Sequence, residues 1–117
     1  MAVQRLHIQN RYSEIAISGN LVHLAGQLAE DTQQDIEGQT QQTLALIDRL
    51  LTDAGTEKSH IMSVMIFLKD IERDYAAMNQ VWDAWMADIQ ALPRTCVEAK
   101  LYHPDVLVEM TVVAVKP

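Results

Sequence analysis

A two-layer α/β (α+β) sandwich with the element order ββαβαββ, one mixed sheet and two helices on one of its faces, is what the patterning of this 117-residue chain predicts. Three observations carry that prediction. Strand pairs read as hairpins stand at both ends of the chain, two long stretches repeat apolar residues at intervals of three and four, and the segment between those stretches is apolar on both sides. The elements make one domain over residues 1–117, large enough for a single core and too small for two.

Residues 13–18 alternate, Ser18-Gly19-Asn20 supplies a turn, and residues 21–25 return as the second strand of a hairpin. Residues 30–35 have no period and lead into a helix in which Ile36, Leu44, Ile47, Leu51 and Ala54 keep helical spacing. Asp35 or Thr32 can cap its start, and Gly55 accepts the left-handed backbone that stops it. Over residues 59–68 alternation returns, with Ile61, Ser63, Met65 and Phe67 on one side and His60, Met62, Val64, Ile66 and Leu68 on the other. Both sides are largely apolar, the mark of a central strand. A second helix turns Tyr75, Met78, Trp82, Trp85 and Ile89 inward, while Arg73, Asp74, Asn79, Gln80 and Asp83 fall elsewhere. Pro93 breaks it, and residues 94–101 and 106–115 follow as a closing antiparallel pair joined by Tyr102-His103-Pro104-Asp105. Two helices cover one sheet face only, so an apolar second face predicts a closed homo-oligomer.

Composition excludes several classes of function. A net charge of −7, with basic residues spread singly, offers no basic face to grip a phosphate backbone. The longest apolar stretches run to about ten residues, each broken by a polar one, against the roughly 20 a bilayer span needs. The first seven residues lack the apolar core and cleavage site of a secretory signal, so a cytoplasmic address is the expectation. One cysteine cannot form an internal disulfide, and the four histidines and Cys96 have no zinc-site spacing.

Arg94 opens a strand directly after Pro93, where a fixed guanidinium makes a clamp for a small carboxylate. Glu109 sits fifteen residues later in the otherwise apolar run from Val106 to Val115, where a carboxylate needs a reason to be. Each has a structural alternative. Arg94 can be an ion-pair partner at a strand start, and Glu109 can pair with Lys100 across the closing hairpin. Cys96 shares a strand face with Arg94 and suits packing better than thiol chemistry, and Tyr12 can be strand-edge packing. Asn79 and Gln27 are weaker candidates still.

The sequence resembles the RidA (YjgF) family of reactive intermediate imine and enamine deaminases. The resemblance covers nearly the whole chain and runs through Gly19-Asn20, Ala25-Gly26-Gln27, Gln39-Thr40, Ala54-Gly55, Ile66-Phe67-Leu68-Lys69-Asp70, Met78-Asn79, Pro93-Arg94-Thr95-Cys96-Val97-Glu98 and Val108-Glu109. It implies a chorismate-mutase-like fold, a homotrimer whose sheets face inward, and ligand sites in the clefts between subunits. The implied reaction is hydrolysis of imines such as 2-iminopropanoate, the tautomer of 2-aminoacrylate, to a 2-oxo acid and ammonia without metal or cofactor. By position, Arg94 matches the arginine that pairs with the substrate carboxylate, Cys96 the residue whose main chain helps hold substrate and water, and Glu109 the acid near that water. Tyr12 falls at the family's pocket tyrosine, fourteen residues before Gly26. Ala25 stands where a serine often precedes that glycine, and Asn10-Arg11 replaces the usual Gly-Pro before the tyrosine.

Two other classes use the same residues. A module that senses a small carboxylate metabolite would keep the Arg94 clamp without turnover. An endoribonuclease or translation inhibitor, roles also attached to the family, would need phosphate-binding residues that the composition does not offer.

Overall fold

The computed structural model describes residues 2–117. Eight principal elements follow one another: β1 (Gln4–Ile8), β2 (Ser13–Ser18), β3 (Leu21–Gln27), α1 (Ile36–Asp53), β4 (Ile61–Leu68), α2 (Ile71–Trp85), β5 (Arg94–Glu98) and β6 (Val108–Val115). The predicted class stands: the six strands form one mixed sheet, ordered β1-β2-β3-β6-β4-β5, and α1 and α2 pack over one face of it.

Local chemistry sets the helix ends. Asp35 caps α1 by accepting from the Gly38 N–H at 2.9 Å, and Gly55, at φ 83°, closes it. Asp70 caps α2 through the Arg73 N–H at 3.0 Å. The core lies between the helices and one sheet face, where Ile15, Val22, Val64, Ile66, Leu68, Met110 and Val112 meet Leu44, Ile47, Leu51, Met78 and Trp82. Alternation sends Met65, Phe67, Glu109, Thr111, Val113 and Val115 to the other face, which carries no helix.

Four details differ from the sequence reading. A strand, β1, precedes the first hairpin; its residues are exposed except for half-buried Leu6, and His7 interrupts it at φ 54° with its ring 3.0 Å from Asp53, so no clear alternation marks it. β4 pairs opposite Ile61 and Ser63 with a register shift, which turns Ile61 to the same face as Val64 instead of the face of Ser63, Met65 and Phe67. α2 ends at Trp85, leaving Ile89 beyond it, and Tyr75 is exposed.

The largest difference concerns the last two strands. β5 stops at Glu98 and lies parallel to β4 at the sheet edge, whereas β6 runs antiparallel between β3 and β4. β6 is apolar on both sides and takes a central place, while β5, with exposed Thr95, Val97 and Glu98, takes an edge. The helix α2 provides the crossover that a parallel β4–β5 pair requires.

Candidate active site

Arg94 stands at the start of β5, fixed there because the carbonyl of Pro93 accepts from the Val64 N–H at 3.0 Å. Its register partner is Val64, whose side chain is buried under the helices, so Arg94 rises on the helix face against α2. Tyr75, Met78, Asn79 and Trp82, spaced i, i+3, i+4 and i+7, form the stripe that meets it. Nη2 donates to Asn79 Oδ1 at 2.6 Å and lies 3.4 Å from the Tyr75 hydroxyl, Nη1 faces Met78 Sδ at 3.9 Å, and the guanidinium carbon lies 5.1 Å from the Trp82 ring centre. Every one of these neighbours is neutral. Among the described residues no carboxylate lies within ion-pair reach of Arg94, so the structural ion pair considered above does not form.

Cys96 lies two residues on, on the same face, half-buried against the core. Burial pushes its thiol up from the ordinary value, and the Arg94 charge only partly opposes this. The thiol therefore stays protonated near neutral pH, as the packing role requires.

Glu109 projects from the opposite face of the sheet, beside Phe67 of β4. The pairing with Lys100 does not exist, because β5 and β6 are not neighbours and Lys100 lies beyond the end of β5. Glu109 rests instead on Gly26, where β3 is irregular: a Cβ added to Gly26 would collide with the Glu109 carboxylate. The carboxylate has no hydrogen-bond partner among the described residues, and desolvation raises its pKa above the ordinary carboxylate value.

Gly26 also lines a groove of about 970 Å³, with Tyr12, Glu14, Ala25, Gln27, His7, Arg49 and Tyr102 among its walls. Tyr12 is exposed there, and the neighbouring Glu14 carboxylate raises the pKa of its hydroxyl. Gln27, buried, donates to Glu14 at 2.6 Å and to the Ala25 carbonyl at 3.1 Å. Among the described residues no three His, Cys, Asp or Glu side chains gather as metal ligands.

One chain thus holds two half-sites. Gly26 and Glu109 meet where β3 and β6 pair, with Tyr12 in the groove that Gly26 also lines, and Arg94 and Cys96 share the helix face under α2 at the β5 edge. β4 lies between β5 and β6, a separation of about 10 Å, and the Arg94 and Glu109 side chains leave opposite faces. Sequence reasoning named these five residues but placed Asn79 off the inner stripe of α2. Its spacing of four from Tyr75 and three from Trp82 was the signal that could have found it.

Fold and site together define a class: a small α+β domain with an unpaired arginine at one sheet edge and a desolvated carboxylate on the bare sheet face. Residues 2–116 match the family described as Endoribonuclease L-PSP. A RutC family protein of Haemophilus influenzae is 43% identical over 115 residues, covering 97% of this chain and 98% of its own. Crystal structures of an uncharacterized protein from Pseudomonas aeruginosa and of a YjgF family member from Neisseria meningitidis both superpose with a TM-score of 0.94. The first is 42% identical and covers 99% of this chain and 100% of its own; the second is 39% identical and covers 100% and 97%. The chain belongs to this YjgF (RidA), RutC and L-PSP family.

Proposed function

We propose that the protein hydrolyses reactive imines and enamines of the 2-iminopropanoate/2-aminoacrylate type to the 2-oxo acid and ammonia, at sites shared between copies in a homotrimer. The observation that carries this reading is the unpaired charge of Arg94, held by neutral groups only. A guanidinium in that state presents parallel donors to both oxygens of a carboxylate and so fixes a planar imino acid with C2 open to attack. Glu109 supplies the second function. With no partner of its own and a raised pKa, it accepts a proton from a water as that water's oxygen bonds to C2 of the iminium. The carbinolamine so formed collapses: Glu109 passes its proton to the nitrogen, the hydroxyl proton returns to the Glu109 carboxylate as the carbonyl forms and the C–N bond breaks, and the ammonia that departs takes up the remaining proton as ammonium in water. The uncatalysed reaction already proceeds in water, so positioning and one proton transfer, the latter worth roughly 10²–10⁴-fold, suffice.

The two half-sites support the shared site. In one chain Arg94 and Glu109 face away from each other, and a substrate touching both must lie against two copies. The uncovered sheet face, with Met65, Phe67, Val113 and Val115 upon it, supplies the apolar surface for that assembly. A ribonuclease reading, suggested by the family's description, lacks a basic surface in a chain of net charge −7.

The test is the rate at which purified protein speeds the decay of 2-iminopropanoate, generated in place by an amino-acid oxidase. Acceleration by the wild type that is lost in Arg94→Ala, with assembly intact, supports the deaminase. Unaccelerated decay beside tight binding of 2-oxopropanoate would instead make the protein a carboxylate-metabolite sensor.

A further inference from the structure

We propose that Asn79 is a positioning residue that orients Arg94 while leaving its charge free, and so sets the site's preference for an anionic ligand; this rests on the reading of Arg94 as the carboxylate clamp. The guanidinium only donates, so the Asn79 amide must turn its oxygen to Nη2, and its 2.6 Å contact is the shortest that Arg94 makes. Tyr75 adds a weak contact to the same Nη2 at 3.4 Å, and the guanidinium carbon lies over the Trp82 ring at 5.1 Å from its centre. Nη1 meets only a thioether. One end of the fork is therefore fixed and the other left to a ligand.

The chemistry at position 79 matters because α2 is rich in acids placed elsewhere. Asp70 caps the helix, Asp74 is buried and held twice by Arg73, at 3.0 and 2.9 Å, and Asp83 is exposed away from the stripe. A carboxylate at position 79 would hold Arg94 in the same place more strongly than an amide does. It would also neutralise the cation and compete with any incoming carboxylate. An amide accepts the same hydrogen bond and keeps the net positive charge.

The two roles Asn79 could have, packing and charge-sparing orientation, rank substitutions in opposite orders. Asparagine and aspartate have nearly the same shape, so a packing role makes Asn79→Asp milder than Asn79→Ala. Charge-sparing orientation makes it worse. Binding of 2-oxopropanoate is measured by calorimetry for the wild type, Asn79→Ala, Asn79→Asp and Arg94→Ala, with circular dichroism and elution volume as folding controls, alongside KM and kcat for 2-iminopropanoate. Asn79→Ala is expected to weaken binding roughly fivefold to tenfold and Asn79→Asp roughly hundredfold, the loss appearing in KM more than in kcat. Asn79→Ser, which keeps a neutral acceptor, recovers part of the affinity and serves if the alanine variant does not fold. Wild-type affinity in Asn79→Asp, or an aspartate effect smaller than that of alanine, overturns the proposal while the Arg94 clamp stands. Unchanged binding in Arg94→Ala overturns both.

Discussion

Glu109 and Gly26 act as one unit at the scale of single residues. A glycine is needed at position 26 because any Cβ would occupy the space of the Glu109 carboxylate. The obstruction involves the far end of a flexible side chain, so Gly26→Ala is expected to cost little stability, about 1 kcal/mol in a denaturant titration, because Glu109 can swing away. On the proposed reading, deaminase activity should fall about a hundredfold in the same variant, because the displaced carboxylate would no longer meet the attacking water. Glu109→Gln tests the protonation state. Burial raises the Glu109 pKa, so the folded chain keeps a proton that the unfolded chain has already released. Stability therefore falls as pH rises from the ordinary carboxylate pKa through the raised one, and the glutamine variant lacks this dependence. Catalysis runs the other way. The proposed base role needs the ionised form, so kcat/KM should drop as pH falls through a pKa above the ordinary carboxylate range, and Glu109→Gln should lose both the rate and that limb of the profile.

At the scale of elements, strongly patterned segments could be read from sequence and pairings between distant strands could not. The core stripe of α1, its Asp35 cap and the Gly55 stop are local properties, and each is present in the fold. The neighbour of β6 is not local: the chain passes from β5 to β6 through nine non-strand residues, among them Tyr102-His103-Pro104-Asp105, which look like a hairpin loop, yet apolar residues on both faces draw β6 to the sheet centre. The same displacement removes Lys100 as a partner for Glu109 and makes the carboxylate more available than the sequence suggested. Gln39 shows what secures this arrangement. Fully buried in α1, it donates to the carbonyls of Thr32, Gln34 and Asp105 and accepts from the Leu107 N–H at 2.9 Å, tying the segment before α1 to the entry of β6. Gln39→Leu removes the partner of those backbone groups around a fully buried side chain. It should destabilise the fold by about 3 kcal/mol in urea, well beyond the usual effect of a helix substitution.

For the molecule as a whole, the decisive feature is that Arg94 and Glu109 leave opposite faces of one sheet. Position in the sequence singled out both residues and the resemblance supplied the idea of shared clefts, but the physical support for sharing comes from strand order and register, since residues fifteen apart in sequence give no sign of which face each takes. A site shared between copies makes a prediction that a site within one chain does not. Arg94→Ala and Glu109→Gln should each be inactive when pure. When the two are unfolded together in equal amounts and refolded, the proposed trimer would assort the two parents, so that some clefts receive Arg94 from one parent and Glu109 from the other. In a cyclic trimer with random assortment about a quarter of the clefts are intact, so the mixture should recover about a quarter of wild-type activity. A site contained within a single chain would leave the mixture as inactive as its parents. A charge on the bare sheet face, as in Phe67→Glu, should separate the copies in sedimentation and abolish activity even though Arg94 and Glu109 are both present.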